Sequence, residues 1–577
     1  MMTIPKILTT LFSDNNIKNA GDFMKLLIVG INAKYVHTNL AVRYLDKCVS
    51  GMCDTVVCEY SINDNKLSTE RDILLQKPDI VAFACYIWNI GLVKEIASDV
   101  KSAYPHIKIV LGGPEVSFDG AKLLSECTYV DCVVCGEGEV AFPGVINHYV
   151  NGGKMPKAGV VYRKDGEITE NGAGEVLPLD DIPFPYDDSI SELGSRIVYY
   201  ESSRGCPYSC KYCLSGEKGN VRFKSLENVK KDLTFFDSHG VPLVKFVDRT
   251  FNADRKRARE IWSHIFSLNG NTRFHMEITG ELLDEETVSL LKTGDADKLQ
   301  FEIGVQTTNT KTLEAIDRVC NTEKLFENIK LLLSETHIHI HLDLIVGLPY
   351  EDFETFKHSF NDVVSLKPHV LQIGFLKVLK GSAMRGEAET HGIIYRNEAP
   401  YEIISNKYLT CEEVWYLKDL DFVFDKYYNS GSFGETLEYL YSKFDTPFDV
   451  FAKIIDFYRE YNLINSSLSK PALYDKLYDC FKDFGDDFEE VLRYDYIKAL
   501  SPGKLPGWCN SNEDFKLSEE VYDFLKDEEA KKMYMPCYFG TPAKMIIKHF
   551  RFERFKEKTL AFDYKRGEVY DVTGYFE

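Results

Sequence analysis

Twice along this chain, short apolar runs alternate with stretches whose apolar residues recur at helical spacing, and that alternation limits the fold more than any other feature. Between residues 25 and 150 the apolar runs are 26–30, 55–60, 80–85, 107–112 and 130–135, with helical patterns over 38–50, 90–104, 116–126 and 139–149. Apolar strands joined by amphipathic helices predict an α/β, doubly wound parallel sheet with helices on both faces, Rossmann-like in plan. From residue 197 the alternation resumes, with runs at 197–201, 243–247, 273–278, 298–303, 338–345 and 370–377. Six such units predict a partial (β/α)6 barrel, with chemistry at the carboxyl ends of its strands.

Beyond residue 400 the pattern changes. Stretches 412–428, 433–444, 449–461 and 472–484 carry Tyr, Phe and Leu at helical spacing, and 559–564 with 569–573 read as a terminal hairpin around Lys565-Arg566-Gly567-Glu568. The expected order is a poorly structured extension over 1–23, a Rossmann-like domain over 24–155, a connection with a hairpin over 156–195, the barrel over 196–400 and a mostly helical domain over 401–577. A length of 577 residues is too great for one core and suits this division. Sixty-eight basic against 89 acidic side chains give a net charge of −21, a surface that repels phosphate backbones, so nucleic acid is not the expected partner. The basic stretch 254–260 reads as a solvated helix face. No run approaches the roughly 18 apolar residues of a membrane span, and residues 1–23 lack the features of an export signal. The cytoplasm is the expected compartment, with no membrane partner.

In that setting the 15 cysteines read as thiols rather than disulfides. Most stand alone in apolar runs, as Cys85 and Cys132 do, where they serve as small buried hydrophobes. One group differs: Arg204-Gly205-Cys206-Pro207-Tyr208-Ser209-Cys210-Lys211-Tyr212-Cys213 places three thiols at C-x₃-C-x₂-C directly after the first barrel strand. Thiolates suit iron–sulfur clusters or zinc. A structural zinc site calls for four protein ligands, and the loop has no fourth. A cubane held by Cys206, Cys210 and Cys213 keeps one iron open.

Elsewhere, polar residues interrupt or end apolar runs. Glu277, Gln306, Arg318 and Asp343 each need a partner or a ligand there, and internal ion pairs are the competing reading. Asp248 and Arg249 fall at another strand end. In the first module the strand ends read Gly112-Gly113-Pro114-Glu115 and Cys135-Gly136-Glu137-Gly138-Glu139, on the side of such a sheet where ligands bind. Glycine there allows close backbone approach and serves tight turns equally well.

The cysteine spacing, with the aromatic Tyr212 before the last thiol, resembles the radical S-adenosylmethionine (SAM) superfamily. The resemblance implies a [4Fe–4S] cluster whose open iron binds SAM and an electron that cleaves SAM to a 5′-deoxyadenosyl radical. The later strands resemble the oxygen-independent coproporphyrinogen oxidase branch. On that comparison Glu277 matches a glutamate near the SAM amine, Gln306 a ribose-binding glutamine, Arg318 an arginine paired with the SAM carboxylate, and Asp343 an acidic residue at the ribose.

Residues 24–150 resemble the cobalamin-binding domain often placed before such barrels, with Gly112, Gly113, Gly136, Glu137 and Gly138 as landmarks. The order Asp-x-His-x-x-Gly is absent, so the implied cobalamin is held without a protein histidine ligand, and His37 is a loop residue. The resemblance runs over residues 24–560, strongest over 198–380. It implies an enzyme that uses cobalamin as methyl carrier for C-methylation or another radical transformation, with a flavodoxin or ferredoxin-type reductant. Two competing readings are a tRNA methylthiotransferase and a non-catalytic SAM or corrinoid sensor or scaffold. The first needs a second cluster, for which Cys48, Cys53 and Cys58 lack loop context. Neither the substrate nor the residues that act on it are legible.

Overall fold

A computed structural model describes residues 24–215, 221–501, 504–509 and 518–577. The extension expected over 1–23 lies outside the described residues. Strands β1 (Lys25–Asn32), β2 (Asp54–Ser61), β3 (Ile80–Ala84), β4 (Lys108–Gly112) and β5 (Cys132–Val134) pair in parallel in the order β2-β1-β3-β4-β5. Leu27, Val29, Phe83 and Leu111 pack into one apolar layer and Leu26, Ile28, Ala82 and Val110 into another, as expected of a sheet covered on both faces.

The hairpin placed by sequence in the 156–195 connection extends this sheet. Its strands β6 (Val160–Lys164) and β7 (Glu167–Asn171) add antiparallel to β5. Pairing Val160, Val161 and Tyr162 with Val134, Val133 and Cys132 covers what would otherwise be an open apolar edge.

The second sheet holds β8 (Val198–Tyr200), β11 (Leu243–Phe246), β12 (Arg273–Ile278), β13 (Leu299–Gln306), β14 (His339–Val346) and β15 (Val370–Phe375), all parallel and ordered as in the sequence. Between β8 and β11 lies a two-residue antiparallel pair, β9 (Ser203–Arg204) with β10 (Arg222–Phe223). Along β13, Leu299, Phe301, Ile303 and Val305 are buried, alternating with Gln300, Glu302, Gly304 and Gln306 on the inner face. Strand β14 alternates likewise, with His339, His341 and Asp343 between Ile340, Leu342 and Leu344. A closed β/α barrel fills its interior with branched apolar side chains. This lumen is polar.

Each edge of the six-stranded sheet is covered by a different part of the chain. Beside β8, Ile197 N donates to Val36 O at 2.8 Å and Thr38 N to Ile197 O at 3.3 Å. Beside β15, the helix Cys411–Phe424 runs on into a π-helical turn, Asp425–Asn429, and Asn429 closes the edge. Its Oδ1 accepts from Leu371 N and its Nδ2 donates to Leu371 O, both at 3.0 Å. Among its described residues the tail contains the four expected helices, a further long one, Asp486–Leu500, and shorter ones including Glu519–Lys526. The terminal hairpin, Thr559–Asp563 with Glu568–Asp571, gains a third strand, Phe550–Arg554. No helix among the described residues is long and apolar enough to cross a membrane.

Candidate functional site

The cysteine loop is pinned from two sides. Lys211 N donates to Ile316 O at 2.9 Å, Ser209 Oγ to Asp317 Oδ2 at 2.7 Å, and Met384 N to Lys211 O at 2.8 Å. The Tyr212 ring packs against Ile316, Leu348, Leu376 and Met384, so the aromatic before the last thiol anchors the loop. Cys213 N donates to Cys210 O at 3.0 Å, and the Cys206 thiol lies 3.4 Å from Thr250 Oγ1. Burial raises the Cys210 thiol, opposed by the Arg318 guanidinium beside it. Among the described residues no three His, Cys, Asp or Glu side chains converge as around a single metal ion. Cubane thiolates need no such convergence, since each bonds a separate iron.

Above this loop the structure gathers three of the four residues expected to hold SAM. Gln306 ends β13 with φ +72°, at a break in register between Gly304 and Gln306, a left-handed conformation that is uncommon outside glycine. Gly304 sits opposite Asp343 on β14, and a Cβ at Gly304 would stand 2.2 Å from Gln306 Nε2 and 3.7 Å from Arg318 Nη2. Glycine at 304 leaves the Gln306 amide and the Arg318 guanidinium the room they occupy here. Arg318 donates to Gly304 O and lies beside Cys210 and Tyr212. Gln306 Oε1, Arg318 Nε and Asp343 Oδ1 are buried with no hydrogen-bond partner among the described residues. Buried polar atoms are almost always paired, so three orphans at one place mark where ligand atoms fit. An amide and a carboxylate suit hydroxyls and an ammonium, and a guanidinium suits a carboxylate, which is the polar complement of SAM.

The fourth residue, Glu277, belongs one layer deeper, opposite Glu302. There Lys245 and His275 pair with Glu302, and His341 with His339, while Glu277 has only charged neighbours. Glu302 Oε2 accepts from Lys245 Nζ and lies within hydrogen-bond reach of His275 Nε2, both at 2.9 Å, and His341 Nε2 lies 2.9 Å from His339 Nδ1. Burial would raise the Glu302 carboxyl, but the His275 hydrogen bond and the Lys245 ammonium together hold it at about 2. Burial, reinforced by the Glu302 carboxylate, raises both Glu277 and Asp343. Sequence reading missed Lys245, His275, Glu302 and His341; the signal was a polar residue at every second position of otherwise apolar strands. It also missed Glu281, whose carboxylate lies near Tyr208 and Arg318. Asp248, at its strand end, is engaged by the chain itself. It is buried and accepts from Ser202 N at 2.8 Å and from the Ser202 hydroxyl, bracing the turn between β8 and β9.

At the carboxyl edge of the first sheet, the glycines divide by role. Gly113 has φ +112°, and a Cβ there would stand 2.6 Å from Cys85 O, so the crossing of two strand ends requires glycine with or without a ligand. Gly136 opens onto free space, Gly112 ends β4, and Gly138 opens the helix Gly138–Asn151, where a Cβ would stand 3.0 Å from Leu45 Cδ2. Ser117 Oγ accepts from Gly136 N at 3.1 Å and donates to Gly113 O at 2.8 Å, tying the two turns together.

Beside them stand exposed aromatics. Trp88, 43% exposed, stacks on Tyr86 at 4.4 Å, and Phe118 is 52% exposed. An apolar floor beside an open glycine turn fits a large macrocycle such as a corrinoid. His37 is occupied, its Nδ1 lying 2.8 Å from the Tyr199 hydroxyl. Glu137, expected at the cofactor, instead turns its carboxylate toward the barrel, where Arg204 and Arg222 take both oxygens. Cys48, Cys53 and Cys58 fall at a helix end, in a turn and inside β2, and burial raises all three thiols.

Comparisons with known proteins agree with this division. Residues 26–146 match the B12 binding domain, residues 200–363 the radical SAM superfamily, and residues 389–570 a protein family of unknown function, DUF4080. The cobalamin-dependent radical SAM methyltransferase TokK of Streptomyces tokunonensis is 28% identical over 323 residues, 52% of this chain and 47% of that protein. The chain thus spans about half the length of that relative.

Two solved structures share the fold. One is the radical S-adenosylmethionine methyltransferase TsrM of Kitasatospora setae, with cobalamin and a [4Fe–4S] cluster bound; its TM-score is 0.56 at 15% identity over 66% of this chain and 82% of that one. The other is the cobalamin-dependent S-adenosylmethionine radical enzyme OxsB, with a TM-score of 0.58 at 13% identity over 82% and 83%. This chain is a B12-binding-domain radical SAM protein with an additional carboxyl-terminal domain.

Proposed function

We propose that the protein is a radical SAM enzyme that methylates an unactivated carbon of its substrate, with cobalamin as methyl carrier. The observation that carries this reading is the group of buried, unpartnered atoms of Gln306, Arg318 and Asp343 beside the Cys206–Cys210–Cys213 loop. When bound, the cluster and SAM supply a 5′-deoxyadenosyl radical and the corrinoid a transferable methyl group. The chain's own residues prepare the place. Cys206, Cys210 and Cys213 would hold the cluster, with SAM at the iron they leave open. Arg318, already against Cys210, takes the SAM carboxylate; Gln306 and Asp343 take the ribose; Glu277 meets the amine with Arg249 and Lys245 nearby. Gly112, Gly113, Gly136 and Gly138 would give a corrinoid its backbone rim, and His37 stays with the Tyr199 hydroxyl. A flavodoxin or ferredoxin-type protein supplies the electron, in the cytoplasm.

The test is anaerobic purification with and without added cobalamin, quantifying iron, sulfide and corrinoid, followed by incubation with SAM and a low-potential reductant. Release of 5′-deoxyadenosine supports catalysis. SAM binding without turnover returns the protein to a sensor role.

A further inference from the structure

Glu137 belongs to both cofactor regions at once. Its backbone lies in the 136–139 turn at the end of β5, while its side chain reaches the base of the cysteine loop. That base is the β9–β10 pair, in which Arg204 and Arg222 stand directly opposite each other. Arg204 donates Nη1 to Glu137 Oε2 at 2.7 Å and Nη2 to Glu139 Oε1 at 2.9 Å, and it also holds Glu201 at 2.7 Å. Arg222 donates Nη2 to Glu137 Oε1 and Nη1 to Leu177 O, the latter at 2.7 Å. One carboxylate of the first domain therefore ties together the two strands from which the cysteine loop departs and to which it returns. Cys206 follows Arg204 by two residues.

Charge-assisted hydrogen bonds of this kind are directional and stronger than neutral ones. The Arg204, Glu137 and Arg222 side chains are 19%, 23% and 29% exposed, so solvent screens the clasp only in part. A shift of the 136–139 turn is transmitted to the loop base, and a shift of the base to the turn.

We propose that Glu137 is a positioning residue that couples the two cofactor sites: seating a cluster and closing the glycine turn on a corrinoid favour the same Arg204–Glu137–Arg222 arrangement, so each cofactor raises the affinity for the other. This rests on the cofactor reading given above. Linkage makes the coupling reciprocal, and such couplings span roughly 5–150-fold.

The experiment titrates the full chain with hydroxocobalamin, followed by absorbance, before and after anaerobic cluster reconstitution. The expected result is roughly tenfold tighter binding to cluster-loaded protein. Glu137→Gln keeps the shape and loses the charge; it should still take up iron and hydroxocobalamin, but with equal affinity in the two states. Lys380→Met removes other ion pairs between the same domains, those to Glu115 at 3.1 Å and Asp119 at 3.0 Å, and should retain the difference. Equal affinity in the wild type, an undiminished difference in Glu137→Gln, or an equal loss in Lys380→Met overturns the inference while leaving the cofactor reading intact. Wild-type protein that loads iron but takes up no corrinoid overturns the cofactor reading, and the coupling falls with it.

Discussion

Two layers of the same barrel lumen treat buried charge in opposite ways. In the deeper layer Lys245, His275 and Glu302 are mutually paired, and the Glu302 carboxyl is held at about 2. One layer up, Asp343 Oδ1, Gln306 Oε1 and Arg318 Nε have no partner among the described residues, and the Asp343 carboxyl is raised by burial and by the carboxylates below it. Similar side chains on neighbouring strands thus do different work. Paired groups hold the strands together, and the unpaired groups are those assigned to SAM in the proposal above.

The contrast can be broken in several ways. The largest effect is expected from Cys210→Ala, which should abolish the cluster's iron and sulfide content after anaerobic reconstitution while the fold persists. Retention of a full cubane would detach the upper layer from any SAM site. Next, Glu302→Gln should destabilise the protein by about 2–3 kcal/mol in urea unfolding, allowing for partial exposure, because it leaves Lys245 without its carboxylate. A loss below about 0.5 kcal/mol would mean that the deep layer is not structural.

Asp343→Asn makes the complementary prediction. No partner is lost, so stability should hold or rise by up to about 1 kcal/mol, while SAM binding by calorimetry should weaken about tenfold. A drop in stability matching that of Glu302→Gln would erase the distinction between the layers.

The smallest effect is a pH trend of opposite sign in the two layers. Glu302 has a lowered folded value, so its contribution is complete above the ordinary carboxylate range and is lost as pH falls toward about 2. Asp343 has a raised value, so the folded state binds more protons than the unfolded one and stability declines as pH rises above the ordinary range. Urea midpoints across pH 3–8 should lose the acid-side fall in Glu302→Gln and the neutral-side decline in Asp343→Asn.

The strand–helix alternation and the two parallel sheets were legible because they rest on local periodicity, and the cysteine loop because its spacing is contiguous. The harder parts required long-range placement. Residue type suggested that Gln306, Arg318 and Asp343 would need partners, but only the register of β13 against β14 shows them meeting over Gly304. The partners of Glu137 were hidden for the same reason. The turn around it reads as a ligand rim, and its partners Arg204 and Arg222 lie 67 and 85 residues away. The hairpin over 160–171 was legible, but not its place in the first sheet, because nothing local shows that β5 is short and needs covering.

The two ends of the six-stranded sheet are guarded by different stretches of chain, Val36–Thr38 at one and Asn429 at the other. Neither guard is near in sequence to the strand it protects. A ribosome therefore releases the barrel's last strand before the segment that shields it exists, and residues 198–375 expressed alone would expose two raw margins able to recruit further strands. Such a fragment should form insoluble assemblies, and adding back only one neighbour should cure one margin and leave the other.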